Sequence, residues 1–490
     1  MHFLSLPRPA NTPSFGTKPV TSTPAIVDTT TLAAHDFDVD PRTGFMPPQP
    51  PLERLFSECI RYEVWEEVLD EAMKGGLKLA DGDMEEEERN NNELWRKRVR
   101  EMEILRINGL VQSEIMLRRA HHVLAWILHF YVHTTPTFDS AIHIPPSLTL
   151  PLLQVGRELQ LPPVLTYSDD VLYNWAYDGD KGTDDDKDTS NDKGTSNDKD
   201  TINPNNLRIL TSFTSTASES HFYLTSARIE IIGVRALKVM QLMMDELFVG
   251  DAIAVKRIAR WLDALGGILG EMQAELNNMY SGCDPRVFYE EIRPWFNGVD
   301  VDRPWIFQGI SLDPTLTIPT ELSGPSAGQS SLIHALDLFL GLSTFSHSLH
   351  GTNSFLSRMQ LYMPRHHRNF LIHLQRLQIP IHDHTTQHKT RYALHLLTAY
   401  NSCITSLKHF RDAHFVLVAR YIIGPAARER GLKGAKGGEE EGEGEERLKG
   451  TGGTYLAQFL KNVRDSTKDA VIQIRGGGGG GGGGVGFPES

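Results

Sequence analysis

Apolar residues recur at intervals of three and four from Leu52 to about Val132, as at Leu105, Ile107, Leu110, Val111, Ile115 and Leu117. That spacing gathers them on one face of each successive helix and predicts a mainly helical first region. It returns at roughly 219–248, 252–279, 327–342, 354–378, 390–423 and 454–472, with Gly, Pro and polar clusters between the runs. Tyr167 to Trp175 also reads as helical, and strand-like alternation is scarce. The pattern predicts an all-α protein with a smaller helical domain at 52–143, a proline- and leucine-rich connection at 144–165, and a larger helical domain at 166–475.

Polar and low-complexity stretches punctuate these runs. Residues 1–51 carry ten prolines and read as an extended arm ending in Pro47-Pro48-Gln49-Pro50-Pro51. The acidic run at 81–88 is expected to be a loop in the first domain. Residues 178–206 read as an insertion whose centre is DKDTSN-DKGTSN-DKDT. Having no apolar residue there to bury, it cannot offset the entropy of ordering and is expected to be disordered. The Gly, Lys and Glu stretch at 424–453 is expected to be a mobile loop, and 476–490, opening with nine glycines, a flexible tail.

Charge changes this picture little. The net charge of the 490 residues is −13, but Asp81–Glu88, Asp178–Asp200 and Glu439–Glu446 carry −6, −5 and −6, which leaves the remainder slightly basic. The acidity therefore belongs to solvated segments and implies no cationic partner and no nucleic acid. Cys59, Cys283 and Cys403 are too few and too far apart for a disulfide framework or a CxxC metal site, which fits a reducing compartment. No secretory signal is evident, and the longest apolar stretch, around Val123 to Val132, is too short to span a bilayer. A soluble, cytoplasmic monomer is expected.

Several residues invite a chemical reading. His414 lies on the stripe Leu407, Phe410, His414, Leu417, Val418, Tyr421, which buries its imidazole; spacing alone leaves a core histidine and a ligand both open. His382, His384 and His388 form an HxHxxxH pattern, but the segment is polar and lacks an apolar face to hold ligands rigidly, so it reads as a solvated loop. His129 and His133 lie one turn apart without a HExxH pattern. No convincing GxSxG, P-loop or GxGxxG arrangement occurs.

Six segments, in order, resemble the indoleamine 2,3-dioxygenase family: LPPVLTYSDDVLYNW, CDPRVFYEEIRPWFNG, GPSAGQSSLIHALDLFLG, MPRHHRNFL, HFRDAHFVLVARYI and KGTGGTYLAQFLKNVRDST. The resemblance runs from about Asp36 to about residue 470. It implies a two-domain helical protein holding one haem b, which with O2 opens the indole C2–C3 bond of L-tryptophan to give N-formylkynurenine, the first step of the kynurenine pathway toward NAD. An external electron donor is implied, to reach ferrous iron. His414 matches the proximal haem ligand, Arg411 the residue near a haem propionate, and Asp337 the acid that pairs with it. Arg293 matches the arginine that binds the tryptophan carboxylate. Tyr167, Val171, Phe222, Tyr223 and Phe288 match pocket walls, and Ser226 a distal serine above the haem, whose hydroxyl pKa is too high for a general base. Ser326 and Ala327 match the loop over the distal pocket, with Ser326 also beside the haem, and Thr451 a mobile loop that closes on substrate.

Two positions depart from the mammalian pattern of that family. Pro325 replaces a glycine and removes a backbone donor, and Asp170 replaces a cysteine and brings a possible negative charge to an apolar pocket. They motivate an alternative, a haem-binding sensor or regulatory homologue with weak or no turnover. The polar repeat itself generates a prediction. Deleting residues 184–200 is expected to leave the thermal midpoint and turnover nearly unchanged, and a large drop in either would show that the segment packs against the rest of the chain.

Overall fold

The structure is a computed structural model that describes residues 32, 34–56, 61–80, 84–178, 202–342, 355–377, 381–382, 385, 393–434, 450–451 and 456–472. Its helices are α1 Glu63–Lys74, α2 Glu86–Arg100, α3 Glu114–His133, α4 Pro146–Leu159, α5 Ala217–Val249, α6 Ala252–Gly282, α7 Ser331–Leu340, α8 Phe355–Met359, α9 Arg365–Leu377, α10 Ala393–Val418, α11 Gly424–Gly434 and α12 Leu456–Asp469. Among the described residues the strands are four of three residues each. β1 (Ile142–Ile144) pairs in parallel with β4 (Trp305–Phe307), and β2 (Trp175–Tyr177) pairs antiparallel with β3 (Leu207–Ile209). The fold is all-α.

Local chemistry sets the helix ends. Thr216 caps α5 by accepting from the Glu219 N–H, and Gly250 ends it in the left-handed region at φ 67°. Asp251 then caps α6 by accepting from Ile253 and Ala254. The acidic run is only partly a loop, because Glu86, Glu87 and Glu88 form the first turn of α2 and a Glu85–Glu88 capping box closes it. Carboxylates are favoured at that positive helix end.

Other segments also differ from the pattern reading. The connection at 144–165 holds α4, started by Pro146 in its first turn, where no N–H is needed. The 354–378 run breaks after Tyr362, because Met363 precedes Pro364 and is driven to ψ 153°. The end of the polar insertion packs: Ile202 is buried and the Asp178 N–H donates to Asn206. Helix continues through Gly424–Gly434, where a loop was expected, and 435–449, 179–201 and 473–490 lie outside the described residues. The arm is not wholly extended: Ala34–Phe37 is a 3₁₀ turn, and Leu32, Val39 and Phe45 are buried.

Two large apolar cores and two smaller clusters result among the described residues. One core gathers Trp65, Trp126 and Phe130 from α1 and α3 together with Phe288, Ile292, Trp295, Phe296 and Tyr421 from much later in the chain. The other packs α5, α6, α7, α9 and α10 and takes in Val39 and Phe45 of the arm. Beside Phe296 and Leu322 of the first core two backbones cross almost in contact. A Cβ on Gly324 would overlap the Phe296 carbonyl and one on Gly298 that of Leu322, while the Val299 N–H donates to Leu322 at 2.9 Å. Gly324→Ala is therefore expected to cost about 2–4 kcal/mol in urea unfolding; a loss under about 0.5 kcal/mol would show that the crossing can relax.

Candidate functional site

Of three short π-helical turns, Ser168–Leu172 and Phe288–Ile292 pack on α5, and Ala419–Ile423 packs on Phe288–Ile292. Such turns carry an extra residue per turn, re-aim side chains and recur at functional sites. Phe222 of α5 packs on Phe288 at 5.0 Å and on Phe296 at 5.8 Å, and Phe288 meets Tyr421 at 5.8 Å. Arg293 opens the 3₁₀ turn Arg293–Phe296 between those phenylalanines. Its guanidinium lies 5.8 Å from the Tyr289 ring centre, and burial lowers its pKa while leaving it a cation. Ser226, one turn beyond Phe222, is half-buried and donates to the Phe222 carbonyl at 3.3 Å. Tyr223 is buried and donates to Glu219.

A second group gathers on Glu230, one turn further along α5. Its Oε1 accepts from the Tyr167 hydroxyl at 3.0 Å and the Ser330 hydroxyl at 2.7 Å. Gln329 accepts from the Tyr167 N–H at 2.8 Å and donates to the Gly324 carbonyl at 2.9 Å. Ser326 caps the Ala327–Gln329 turn by accepting from Gly328; Ser326 is half-buried and Ala327 exposed. Thr451 fastens to the same loop, its hydroxyl donating to Pro325 at 2.7 Å and its carbonyl accepting from Gly324 at 3.1 Å. Tyr167, Val171, Ser326, Ala327 and Thr451 thus belong to one connected assembly beside α5. Burial raises the Glu230 carboxyl to about 7, against the lowering effect of its two hydroxyl donors.

His414 stands on α10, two turns before Tyr421. It is half-buried. Burial and the nearby Arg411 hold its imidazole down at about 4, so it is neutral at pH 7. Among the described residues none hydrogen-bonds its ring. Arg411 donates to Asp337 at 2.5 Å and also to Thr467 of α12, so the expected ion pair forms.

The two departures take on physical meaning here. Asp170 is buried, and burial together with Asp169 pushes its pKa well above the usual carboxylate range, which favours the neutral form over the charge that the sequence made possible. Its Oδ1 has no hydrogen-bond partner among the described residues. Pro325 offers its carbonyl to Thr451. His221 turns away from the site to the Asn278 carbonyl. His129 and His133 bind the Trp295 and Asn297 carbonyls and so tie α3 to the segment that follows Arg293. His384 and His388 lie outside the described residues, and among those described no cluster of metal-ligating side chains occurs. No described helix is long and apolar enough to cross a membrane.

The sequence model of the indoleamine 2,3-dioxygenase family matches residues 33–470. The chain belongs to the indoleamine 2,3-dioxygenase family. It is 30% identical to the indoleamine 2,3-dioxygenase of Saccharomyces cerevisiae, over 88% of this chain and 91% of that one. It is 31% identical to human indoleamine 2,3-dioxygenase 2 over 73% and 80%, and 27% identical to a 6-hydroxytryptophan 2,3-dioxygenase of Fusarium equiseti over 89% and 97%. Membership in the indoleamine 2,3-dioxygenase family makes the chain a dioxygenase and hence an oxidoreductase. Sequence reasoning missed Glu230 and Gln329, although Gln329 lies in the SAGQSS run; Glu230 carries no local signal, since its partners are remote in the chain.

Glu230 yields a pH prediction. Its folded pKa of about 7 exceeds the ordinary 4.5, so the native state holds the proton longer than the unfolded chain. Its contribution to stability is full below the ordinary value and falls as pH rises toward 7, by roughly 3 kcal/mol in all. Glu230→Gln, which keeps the acceptor and does not titrate, is expected to lose less stability than the parent between pH 5 and 8 in thermal melts. Parallel curves would mean that Glu230 is ionised in the fold throughout.

Proposed function

We propose that this chain is a haem-dependent dioxygenase that converts L-tryptophan and O2 to N-formylkynurenine, with an external electron donor to bring the iron to its ferrous state. The observation that carries this reading is the half-buried, neutral His414 imidazole. Its ring has no hydrogen-bond partner among the described residues, and Arg411, fixed by Asp337 and Thr467, lies nearby on the same helix. A neutral ring nitrogen is what a haem iron takes as an axial ligand, and a buried guanidinium suits a propionate, so these residues fit the group. His414 would hold the iron and Arg411 a propionate, with Asp337 and Thr467 fixing the guanidinium. Haem, when bound, supplies the ferrous iron at which O2 is activated.

The chain's own residues bind and orient the substrate. Arg293 holds the carboxylate through charge-assisted hydrogen bonds. Phe222, Tyr223, Phe288, Tyr167 and Val171 wall the indole and exclude water, which fixes the ring for reaction. Ser226 moves no proton; its hydroxyl is occupied by the Phe222 carbonyl. The loop carrying Ser326 and Ala327, with Thr451 seated on it, covers the pocket.

A specific observation favours a second substrate reading. The buried Oδ1 of Asp170, next to Val171, has no hydrogen-bond partner among the described residues and can pair with the hydroxyl of a ring-hydroxylated indole; one relative is a 6-hydroxytryptophan 2,3-dioxygenase. Comparing kcat/KM for tryptophan and its ring-hydroxylated analogues in the parent and in Asp170→Val separates the two. Loss of a hydroxylated-substrate preference in the variant supports this second reading, and an unchanged ratio removes it.

The main test is turnover by haem-reconstituted protein kept ferrous by a reductant, with N-formylkynurenine measured by its absorbance. Absence of product would leave the haem-binding regulatory alternative. His414→Ala is expected to lose most of the haem absorbance while keeping its helical circular dichroism, because alanine favours helix. Arg293→Ala is expected to keep haem and lose about 10- to 150-fold in kcat/KM, the equivalent of roughly 1.5–3 kcal/mol. Parental kcat/KM in that variant would show that the carboxylate is held elsewhere.

A further inference from the structure

On its α3 side the Ser168–Leu172 turn carries a buried hydrogen-bond network that reaches into the small helical domain. His121 of α3, Thr166, Ser168 and Asp169 are all buried. His121 uses both ring nitrogens: Nε2 meets the Pro162 carbonyl at 3.0 Å, and Nδ1 meets Asp169 Oδ1 at 2.9 Å. The other Asp169 oxygen accepts from the Thr166 N–H at 3.0 Å and the Thr166 hydroxyl at 2.7 Å. That hydroxyl also meets the Ser168 hydroxyl at 2.9 Å. Trp126, again from α3, donates its indole N–H to the Asp169 carbonyl at 3.5 Å.

Donor and acceptor types fix the proton positions. A carbonyl only accepts, so His121 Nε2 carries a hydrogen. The contact between Nδ1 and Oδ1 then needs one further proton between the imidazole and the carboxyl. Burial opposes charge on both groups, yet Asp169 raises the His121 pKa and His121 lowers that of Asp169, so the pair is held as imidazolium and carboxylate.

This network holds the residues assigned above to the substrate wall. Tyr167 lies between Thr166 and Ser168, and Asp170 and Val171 follow Asp169. Tyr167 and Val171 pack in one cluster with Ala227 of α5, the neighbour of Ser226. Glu230 and Gln329 hold the Tyr167 hydroxyl and N–H, but neither reaches the Asp169 part of the turn. We propose that His121 and Asp169 are positioning residues through which the small helical domain fixes the Tyr167 and Val171 wall for the indole ring, a role that rests on the dioxygenase reading above. They touch no substrate; they fix the backbone of the turn, so their loss loosens the wall and weakens indole binding while His414 is unaffected.

Asp169→Asn and Asp169→Ala in the haem-reconstituted full chain test this. Asparagine can keep every hydrogen bond, its amide donating to a neutral His121 at Nδ1 and its oxygen accepting from Thr166. It is expected to stay within about three-fold of the parental KM for tryptophan. Alanine strips His121 and Thr166 of their partner and is expected to raise that KM about ten-fold with haem per folded chain unchanged. A merely structural role would lower the folded fraction and leave the KM of the remainder as it was. Hydrogen exchange of the amides at 166–172 needs no turnover, and is expected to be about ten-fold faster in Asp169→Ala and parental in Asp169→Asn. Should Asp169→Ala fail to fold, Thr166→Val decides, since it removes one donor to Asp169 at nearly constant shape and is expected to raise KM at least about three-fold. A parent that forms no N-formylkynurenine overturns the dioxygenase reading and this role with it. With an active parent, a parental KM or parental exchange in Asp169→Ala, or a parental KM in Thr166→Val where the first does not fold, overturns this role alone. Equal losses in Asp169→Asn and Asp169→Ala do the same.

Discussion

The buried carboxyl of Glu230 joins parts of the chain that are remote in sequence. It draws the Tyr167 turn and the Ser330 end of the 324–330 loop onto one oxygen in the middle of α5. Gln329 and Thr451 extend that junction to Gly324 and Pro325, where the two glycine backbones cross. A buried hydrogen-bonded acid is useful here because each partner loses much if the junction opens, which holds a loop in place that has little apolar surface of its own. The half-protonated state near neutral pH follows from the same burial.

Around this junction the protein keeps charge under close control. Burial shifts both His414 and Asp170 toward their neutral forms, the imidazole down to about 4 and the carboxyl upward. The Arg411 guanidinium is tied down by Asp337 and Thr467.

Much of the helical architecture was legible from periodicity, because long amphipathic helices such as α5, α6 and α10 announce their buried faces every three or four residues. The misreadings fall where backbone chemistry overrides composition. The stretch at 144–165 looked like a connection because prolines were counted as breakers, yet Pro146 starts α4. The acidic run at 81–88 read as a loop, yet its last three glutamates, still at the surface, open α2. Arg411 and Asp337 were paired through family resemblance and do meet, although 74 residues separate them.

By itself, then, the sequence determined the all-α class, the buried stripe that carries His414, the polar insertion and the family, since these depend on local spacing and on runs of identical residues. The tertiary structure decided which remote groups share a proton, a carbonyl or a cavity. That Glu230 is a junction, that the Asp170 carboxyl is shifted upward and that His221 turns away all depend on what packs against each side chain. Desolvation and hydrogen bonding are properties of surroundings brought together by folding, and no window of neighbouring residues contains them.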